Sequence, residues 1–176
     1  MKFLAEDDII GMRLMRPKEA GLHFEMTRKN TELQTVHEWL CAHLQDEIKA
    51  GKKIVYTIID KASESVCGFC QLDMENPKQP EIGIDIDSSF AGKGYGYRAT
   101  SLLLESASTW PDTEKFVWTV YSHNWPSRHL AEKLGGVLVG EEPLLSKEFI
   151  EYGVQNNILK DEDITKVCKY IISKRV

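Results

Sequence analysis

Several short stretches of the chain alternate between apolar and polar residues, which is the period of a half-buried β-strand. Alternating or continuous apolar runs of strand length predict six strands, over residues 10–17, 53–60, 66–74, 116–120, 137–140 and 167–173. Pro17 ends the first strand, and the polar turn KASES separates the second from the third. A seventh strand is predicted to begin at Glu81.

Two other stretches repeat every three or four residues, as amphipathic helices do. Residues 31–48 predict a helix with Asn30 or Thr31 as its cap and an apolar stripe of Leu33, Val36, Leu40 and Leu44. A second, short helix is predicted over residues 126–134, whereas residues 143–166 are mixed and predict no element. Strands that are consecutive at first and later alternate with helices indicate an α/β fold with a mixed sheet.

The stretch EIGIDIDSSFAGKGYGYRATSLLLESA, residues 81–107, changes its period from that of a strand to that of a helix. Between the two it passes through Gly92, Gly94 and Gly96. A dinucleotide fingerprint would need a further glycine where Tyr97 stands, and a triphosphate loop would need Ser or Thr directly after Lys93. Neither motif is present, so a flexible turn and a specific ligand loop are the two remaining interpretations.

A ligand loop is favoured because glycine near the start of a helix costs about 1 kcal/mol relative to alanine, and a ligand would offset that cost. The amino terminus of a helix offers unpaired N–H groups and a partial positive charge, which together bind phosphate. Without side chains, the backbone lets a diphosphate approach those N–H groups. Lys93 and Arg98 add cationic charge nearby.

Composition narrows the class of protein further. The chain of 176 residues is 42% apolar and 28% charged, which is typical of one soluble domain, and we expect a single domain over residues 1–176. A net charge of −5 disfavours a nucleic-acid partner and favours a cationic one. No apolar run reaches the length of a membrane helix and the acidic amino terminus does not resemble a secretory signal, so we expect no membrane partner and a cytoplasmic location. Cys67 and Cys70 lie within a predicted strand, where residues three apart face opposite ways, which favours buried reduced thiols over a redox pair.

Two motifs in the chain carry a resemblance to a known family. Gly94 and Gly96 fit the pattern Q/R-x-x-G-x-G/A, although Ala91 stands at the Q/R position. Downstream, VYSHNWPSRHLAEKLGG places Asn124, Ser127 and a closing Gly135 around a short helix. In this order and spacing, over residues 81–140, the motifs resemble the GNAT superfamily of acetyl-CoA-dependent N-acetyltransferases. The Asn-x-x-Ser form is most similar to the branch that acetylates the N-terminal amines of ribosomal proteins.

The resemblance implies a GNAT fold, with a mixed, mostly antiparallel sheet of six to seven strands, a splayed parallel pair and about four helices. It also implies acetyl-CoA as cosubstrate. The pantetheine arm would meet the strand that precedes the glycines, the diphosphate would meet the glycine loop, and Asn124 would hydrogen-bond the pantetheine. The cofactor-binding residues implied in this way are Ile84, Asp85, Ile86, Ala91, Gly92, Lys93, Gly94, Tyr95, Gly96 and Asn124.

The implied reaction is acetyl transfer to a primary amine, either a protein N-terminus or a small molecule, by direct attack in a ternary complex. Glu81 is the preferred base; Asp85 shares its strand face and is the second candidate. Ser127 is the candidate acid, because Ala131 stands where many members carry a tyrosine. We expect no metal, and a homodimer remains open. The alternative is a non-catalytic acyl-CoA-binding or sensor domain on the same fold, which the alanines at 91 and 131 favour.

Overall fold

A computed structural model describes residues 2–27, 34–156, 158, 160 and 164–174 of the chain. Within them it shows an α/β structure with a mixed sheet of eight strands, mostly antiparallel with one parallel pair, and five α-helices. The expected fold class is therefore confirmed, with one strand and one helix more than expected. The chain divides into two compact units, one that runs to Phe116 and includes Lys174, and one formed by Val117–Ser173.

The first unit is built on consecutive antiparallel strands. They are β1 (Ala5–Glu6), β2 (Ile10–Leu14), β3 (Lys53–Asp60), β4 (Val66–Asp73) and β5 (Glu81–Ile86). Each strand pairs with the next one along the chain. The register of the last pair places Gln71 opposite Gly83 and Phe69 opposite Asp85, and it defines which side chains share a face of the sheet.

Three helices of the first unit cover both faces of these strands: α1 (Ala20–Thr27), α2 (Gln34–Lys49) and α3 (Tyr95–Ala107). Phe24 of α1, Leu44 of α2 and Phe69 of β4 belong to one buried cluster. Cys70 instead interacts with Thr100 of α3. Because neighbouring residues on a strand point to opposite faces, α3 lies on the face opposite to α1 and α2.

A buried ion pair fixes the chain where it enters α1. The Arg13 guanidinium donates to the Glu19 carboxylate, with Nη1 2.8 Å from Oε2, and the Thr57 hydroxyl donates to the same oxygen at 2.9 Å. Burial by itself raises the pKa of Glu19, but these bonds and one from the Arg16 amide outweigh it and hold the pKa at about 2. The network ties the start of α1 to β2 and β3.

The second unit alternates strands and helices. It contains β6 (Lys115–Tyr121, which begins in the first unit), α4 (Trp125–Lys133), β7 (Val137–Pro143), α5 (Lys147–Gln155) and β8 (Lys166–Ser173). Strands β7 and β8 are antiparallel neighbours. The buried Tyr170 of β8 accepts a hydrogen bond from Arg128 Nε and donates one to Glu132, both at 3.1 Å, and so fixes α4 to this strand.

Most of the predicted elements agree with the structure to within a few residues. The helix predicted over 31–48 is α2; its proposed caps Asn30 and Thr31 lie outside the described residues. The first predicted strand ends at Leu14, since Pro17 opens a 3₁₀ turn, Pro17–Glu19. Helices α1 and α5 were not predicted, and neither was the two-residue β1.

The cysteines agree with the interpretation as buried thiols. Cys67 and Cys70 are buried and free, and burial raises the pKa of each thiol to about 12. Such thiols are almost entirely protonated at neutral pH and are therefore poor nucleophiles. A separate finding concerns the helices of the described residues, none of which is both long and apolar enough to cross a bilayer.

Candidate functional site

The glycine loop joins β5 to α3 and has a backbone that requires glycine at two positions. Gly92 has φ of 73° and Gly94 has φ of 83°, the left-handed region that other residues rarely adopt. A Cβ atom built on either glycine would meet no other atom within 4 Å. The glycines are therefore needed for the turn, and the space above them is open to a ligand.

The start of α3 has the properties of an anion site. Gly94 is its N-cap residue and no side chain caps the helix there. Residues 91–94 are all exposed and the first residues of the helix are half-buried, so a ligand can approach the positive end of the helix dipole from the side of the loop. The loop suits the diphosphate that the sequence predicts for it, because the helix start has no side-chain cap and the space above Gly92 and Gly94 is open.

The two cations of this region have different surroundings. Lys93 lies in the loop, where its Nζ donates to the Ser89 carbonyl at 2.8 Å. Arg98 does not add a free charge as the sequence suggested, because its Nη1 lies 2.8 Å from carboxylate oxygens of both Asp7 and Asp8. It holds α3 to the turn between β1 and β2, and Lys93 remains the cation of the loop.

A second contact fixes the first residue of α3. The Tyr95 hydroxyl donates to Asp60 Oδ1 at 2.8 Å, and the Ser63 hydroxyl donates to the other oxygen of the same carboxylate at 2.6 Å. Both bonds lower the pKa of Asp60, and the bond from Ser63 has the larger effect. The carboxylate therefore stays ionised and links the end of β3 to the start of the helix.

Strand β5 presents its two candidate carboxylates in different environments. Glu81, Gly83 and Asp85 share one face of the strand. Glu81 is exposed at the beginning of β5, whereas Asp85 is half-buried and is the last residue but one of the strand. Burial raises the pKa of Asp85, and within the described residues its carboxylate makes no hydrogen bond or ion pair. A buried carboxylate with a raised pKa has the properties of a general base.

The Asp85 side chain lines a cavity of about 340 Å³, and all residues that line this cavity belong to the first unit. Helices α1 and α2 and strands β3, β4 and β5 form its walls. Its lining combines an apolar side with a group of polar side chains, and comprises His23, Phe24, Leu40, His43, Leu44, Glu47, Lys53, Gln71 and Asp85. Sequence reasoning missed this cavity, because α1 was not predicted and neither His23 nor Gln71 belongs to a motif.

His23 is the most buried polar residue of this cavity, with 5% of its surface exposed. Its ring packs edge-on against Phe24 and Phe69, with centroids 5.2 and 5.0 Å away. Burial lowers the pKa of His23 to about 4, and the nearby Gln71 side chain opposes this shift only in part. The imidazole is therefore neutral at physiological pH, with one nitrogen that donates and one that accepts.

The predicted residues of the second unit lie at the start of α4. Asn124 is the N-cap, and its Oδ1 accepts a hydrogen bond from the Ser127 amide at 3.3 Å. The Ser127 hydroxyl oxygen accepts a bond of 3.1 Å from the indole Nε1 of the buried Trp118. Since that oxygen already accepts, the hydroxyl hydrogen can point away from Trp118 toward another acceptor.

The structure thus places the predicted site residues in two groups. Glu81, residues 84–86 and residues 91–96 follow one another along β5, the glycine loop and α3 in the first unit. Asn124 and Ser127 lie together at the start of α4 in the second unit. The first group combines an exposed glycine loop at the start of a helix, the strand that leads to it and a half-buried carboxylate. The loop suits an anionic ligand, and the carboxylate could accept a proton.

The family comparison agrees with the resemblance that the two motifs carry. The protein-family model described as "Acetyltransferase (GNAT) domain" matches residues 3–137. The chain belongs to the GNAT acetyltransferase family, as its two motifs predicted. Members of the family use acetyl-CoA as cosubstrate. No curated protein matches the chain in sequence.

Solved structures show the same fold at low sequence identity. The spermidine/spermine N-acetyltransferase SpeG from Vibrio cholerae is similar with a TM-score of 0.74 and 16% identity, over 96% of this chain and 95% of that one. The dodecameric form of spermidine N-acetyltransferase from Vibrio cholerae gives a TM-score of 0.75 at 16% identity, over 96% and 95%. RimL, a ribosomal alpha-N-protein acetyltransferase, gives 0.70 at 18% identity, over 97% and 96%.

Proposed function

We propose that the protein transfers an acetyl group from acetyl-CoA to a primary amine, by direct attack within a ternary complex. The observation that carries the proposal is the glycine loop at the start of α3. Its two left-handed glycines leave open space above uncapped helix amides, where a diphosphate would be held. Membership of the family makes acetyl-CoA the ligand that this loop would take.

The residues that would hold the cosubstrate follow the chain from β5 into α3. The backbone of Ile84, Asp85 and Ile86 would pair with the pantetheine arm, and an N–H there would polarise the thioester carbonyl. The amides from Gly92 to Gly96 would bind the diphosphate, with Lys93 as the nearby cation. The Ala91 amide, which the sequence also assigned to this role, already donates to the Ser88 carbonyl at 3.3 Å. Asn124 would add a hydrogen bond to the pantetheine. When bound, acetyl-CoA supplies an acetyl group activated as a thioester.

The acceptor must lose a proton before it can attack, because an alkyl amine with a pKa near 10 is mostly an ammonium ion at neutral pH. Asp85 and Glu81 are the two carboxylates on this face of β5 that could accept the proton. The half-buried position of Asp85 in the cavity favours it over the exposed Glu81, which the sequence had favoured. The amine nitrogen then bonds to the carbonyl carbon, the carbon–sulfur bond breaks, and the sulfur leaves with the bonding electrons. The nitrogen loses its second proton in this step, which balances the proton that the departing sulfur takes up.

Ser127 is the proposed source of a proton for the departing sulfur. Its hydroxyl oxygen accepts a hydrogen bond from the Trp118 indole, so the hydroxyl hydrogen can be donated to another group. A thiol with a pKa near 8.5 leaves tolerably without help, so the contribution expected of Ser127 is modest. Most of the acceleration would come from holding both substrates in line.

A second candidate function is a non-catalytic acyl-CoA-binding domain. Ala91 and Ala131 favour it, because each stands where many family members carry a functional side chain. The half-buried Asp85 favours catalysis, since a domain that only binds the cosubstrate needs no base. Release of free thiol that depends on an added amine distinguishes the two functions. The acceptors named for the structural neighbours, spermidine, spermine and a ribosomal protein, define the first amines to screen.

The binding half of the proposal is tested by Gly94→Glu, with Gly51→Glu as its matched control. Gly51 also has a positive φ, of 69°, and open space where a Cβ would be, but it follows α2 and lies outside the loop. Both substitutions therefore impose the same backbone strain, and only that at Gly94 places bulk and negative charge where the diphosphate would bind. Calorimetric titration with acetyl-CoA is expected to show no binding for Gly94→Glu and unchanged affinity for Gly51→Glu. Equal affinities in the two variants would refute the placement of the diphosphate.

A further inference from the structure

The cavity of the first unit contains buried polar atoms that have no hydrogen-bond partner in the part of the chain that the structure describes. Among the described residues, Nδ1 and Nε2 of His23 and Oε1 of Gln71 are buried and have no hydrogen-bond partner. The half-buried Asp85 lines the same cavity. Buried polar atoms are nearly always paired, so the unpaired atoms of His23 and Gln71 in one cavity beside a carboxylate suit a polar ligand.

A structural role does not explain His23. Its ring lies between two phenylalanines and its pKa keeps it neutral, so it forms no ion pair. A phenylalanine would fill the same space without two unpaired nitrogens, each of which lowers the stability of the fold. The side chain is therefore better suited to binding than to packing.

The register of β4 and β5 places the second polar group beside the carboxylate. Gln71 lies directly opposite Gly83, two residues before Asp85. A Cβ on Gly83 would come within 2.8 Å of Cγ and Nε2 of Gln71, so only glycine leaves the amide its present position. The Gln71 side chain is also close enough to His23 to raise the pKa of the imidazole in part, although no hydrogen bond of normal geometry joins the two side chains. The amide thus lies between the imidazole and the strand that carries Asp85.

The charges of the cavity favour a single cation. Glu47 is paired with Lys53, whose Nζ lies 3.4 Å from Oε2, and also with His43 at 3.7 Å. Asp85 is the one acidic group of the lining that forms no ion pair among the described residues. The unpaired groups are mainly acceptors: a carboxylate, an amide oxygen and one imidazole nitrogen. A primary ammonium has three N–H donors and one charge, and it matches this set.

We propose that His23 and Gln71 are specificity-determining residues that hold the ammonium head of an aliphatic primary amine beside Asp85. The assignment of the amine as acetyl acceptor rests on the proposed function, but its binding does not. The same head is present on a small free amine and at the N-terminus of a protein. The two sources differ in size, because a cavity of about 340 Å³ can enclose a small amine whole but only the first residue of a peptide.

The test uses His23→Phe and Gln71→Leu, which keep the shape of each side chain and remove its polar atoms. His129→Phe is the control, because His129 is exposed and lies in the second unit. Calorimetric titration in the presence of CoA measures the affinity for n-butylamine and for a tetra-alanine peptide with a free N-terminus. Since one lost hydrogen bond is worth about a fivefold to tenfold change, each cavity variant should weaken the preferred amine by at least about fivefold. The affinity for acetyl-CoA should not change in any of the variants.

Each outcome decides the proposal. If the wild-type protein binds butylamine more tightly than the peptide and both variants lose that affinity, the ligand is a small amine. If it binds the peptide more tightly and both variants lose that affinity, the ligand is a protein N-terminus. Unchanged amine affinity in His23→Phe and Gln71→Leu would overturn the assignment, as would failure of the wild-type protein to bind either amine. Failure of the proposed function would be seen separately, as an absence of acetyl-CoA binding or of amine-dependent thiol release. Both variants lose unpaired polar atoms, so thermal melts should show folded proteins; if one does not fold, the other decides.

Discussion

The neutral, buried state of His23 predicts a pH dependence of folding that His23→Phe should abolish. In the unfolded chain the imidazole has its ordinary pKa of 6.5, whereas burial lowers the pKa in the folded protein to about 4. Between these values the unfolded state binds more protons, so the stability rises with pH through this window. The contribution of His23 to the free energy of unfolding is fully present above pH 6.5 and is lost as the pH falls toward the pKa of the folded protein, about 4.

The size of the effect follows from the difference between the two pKa values. A shift from 6.5 to about 4 corresponds to roughly 3 kcal/mol when the pH has fallen below both values. At about pH 5 the unfolded imidazole is almost fully charged and the folded one is not, which gives a loss of about 2 kcal/mol relative to about pH 8. His23 is only 5% exposed, so little of this is screened by solvent.

The measurement is the free energy of unfolding from urea titrations at about pH 8 and about pH 5, for the wild-type protein, His23→Phe and the control His129→Phe. Other ionisable groups of the cavity, namely Asp85 on β5, Lys53 on β3, and His43 and Glu47 on α2, are present in all three proteins. The raised pKa of Asp85 acts in the opposite direction, because the folded state then binds the proton more tightly. Its effect cancels to first order when wild type and variant are compared at each pH.

The expected result is that His23→Phe loses about 2 kcal/mol less than the wild type between the two pH values, whereas His129→Phe behaves as the wild type. Glu19 does not confuse the comparison, because its stabilisation is lost between its ordinary pKa of 4.5 and its folded pKa of about 2, below the range measured, and the residue is present in all three proteins. A constant difference between wild type and His23→Phe at both pH values would refute the reasoning. It would show that the folded imidazole takes up a proton as readily as an exposed one.

Two further predictions concern the proposed chemistry. Asp85→Asn should lower turnover by about a hundredfold or more and remove the acidic limb of the pH profile of kcat/KM, because it removes a general base. Its affinity for acetyl-CoA should be retained. A larger loss of turnover in Glu81→Gln would assign the role of base to Glu81 instead. Ser127→Ala should lower kcat by about tenfold and the free energy of unfolding by about 1 kcal/mol, because the buried Trp118 indole loses its acceptor. Stopped-flow thiol release and urea titration measure the two effects, and an unchanged kcat would exclude Ser127 as the acid.

The features that could be predicted from the sequence are those that depend on residues close together in the chain. Strand β5, the glycine loop and helix α3 form one continuous stretch, in which the change of period and the glycines mark every boundary. The backbone angles of Gly92 and Gly94 explain why that signal is strong, since the turn excludes other residues. Helix α1, AGLHFEMT, has no clear polar face because it is apolar around much of its circumference, so no periodicity revealed it.

The cavity could not be predicted for a related reason. His23, Gln71 and Asp85 are far apart in sequence, and they meet only because β4 and β5 pair in one register and α1 packs over that pair. A shift of one residue in that register would turn Gln71 toward α3 and leave Asp85 opposite a different neighbour. A single Gln or His in an apolar stretch carries no such information on its own. The unpaired atoms that indicate a ligand become visible only when the packing is known.

Strand β5 connects the two proposed binding sites by its alternation. Asp85 faces the cavity, its neighbours Ile84 and Ile86 face the opposite side toward α3, and the strand continues directly into the glycine loop. Gly83 leaves room for Gln71 on the cavity face, and Gly94 opens the helix amides at the far end of the same segment. A short run of residues thus carries the proposed base and leads directly to the proposed anion site. Acetyl transfer between two substrates bound along this run would gain most from holding them in line.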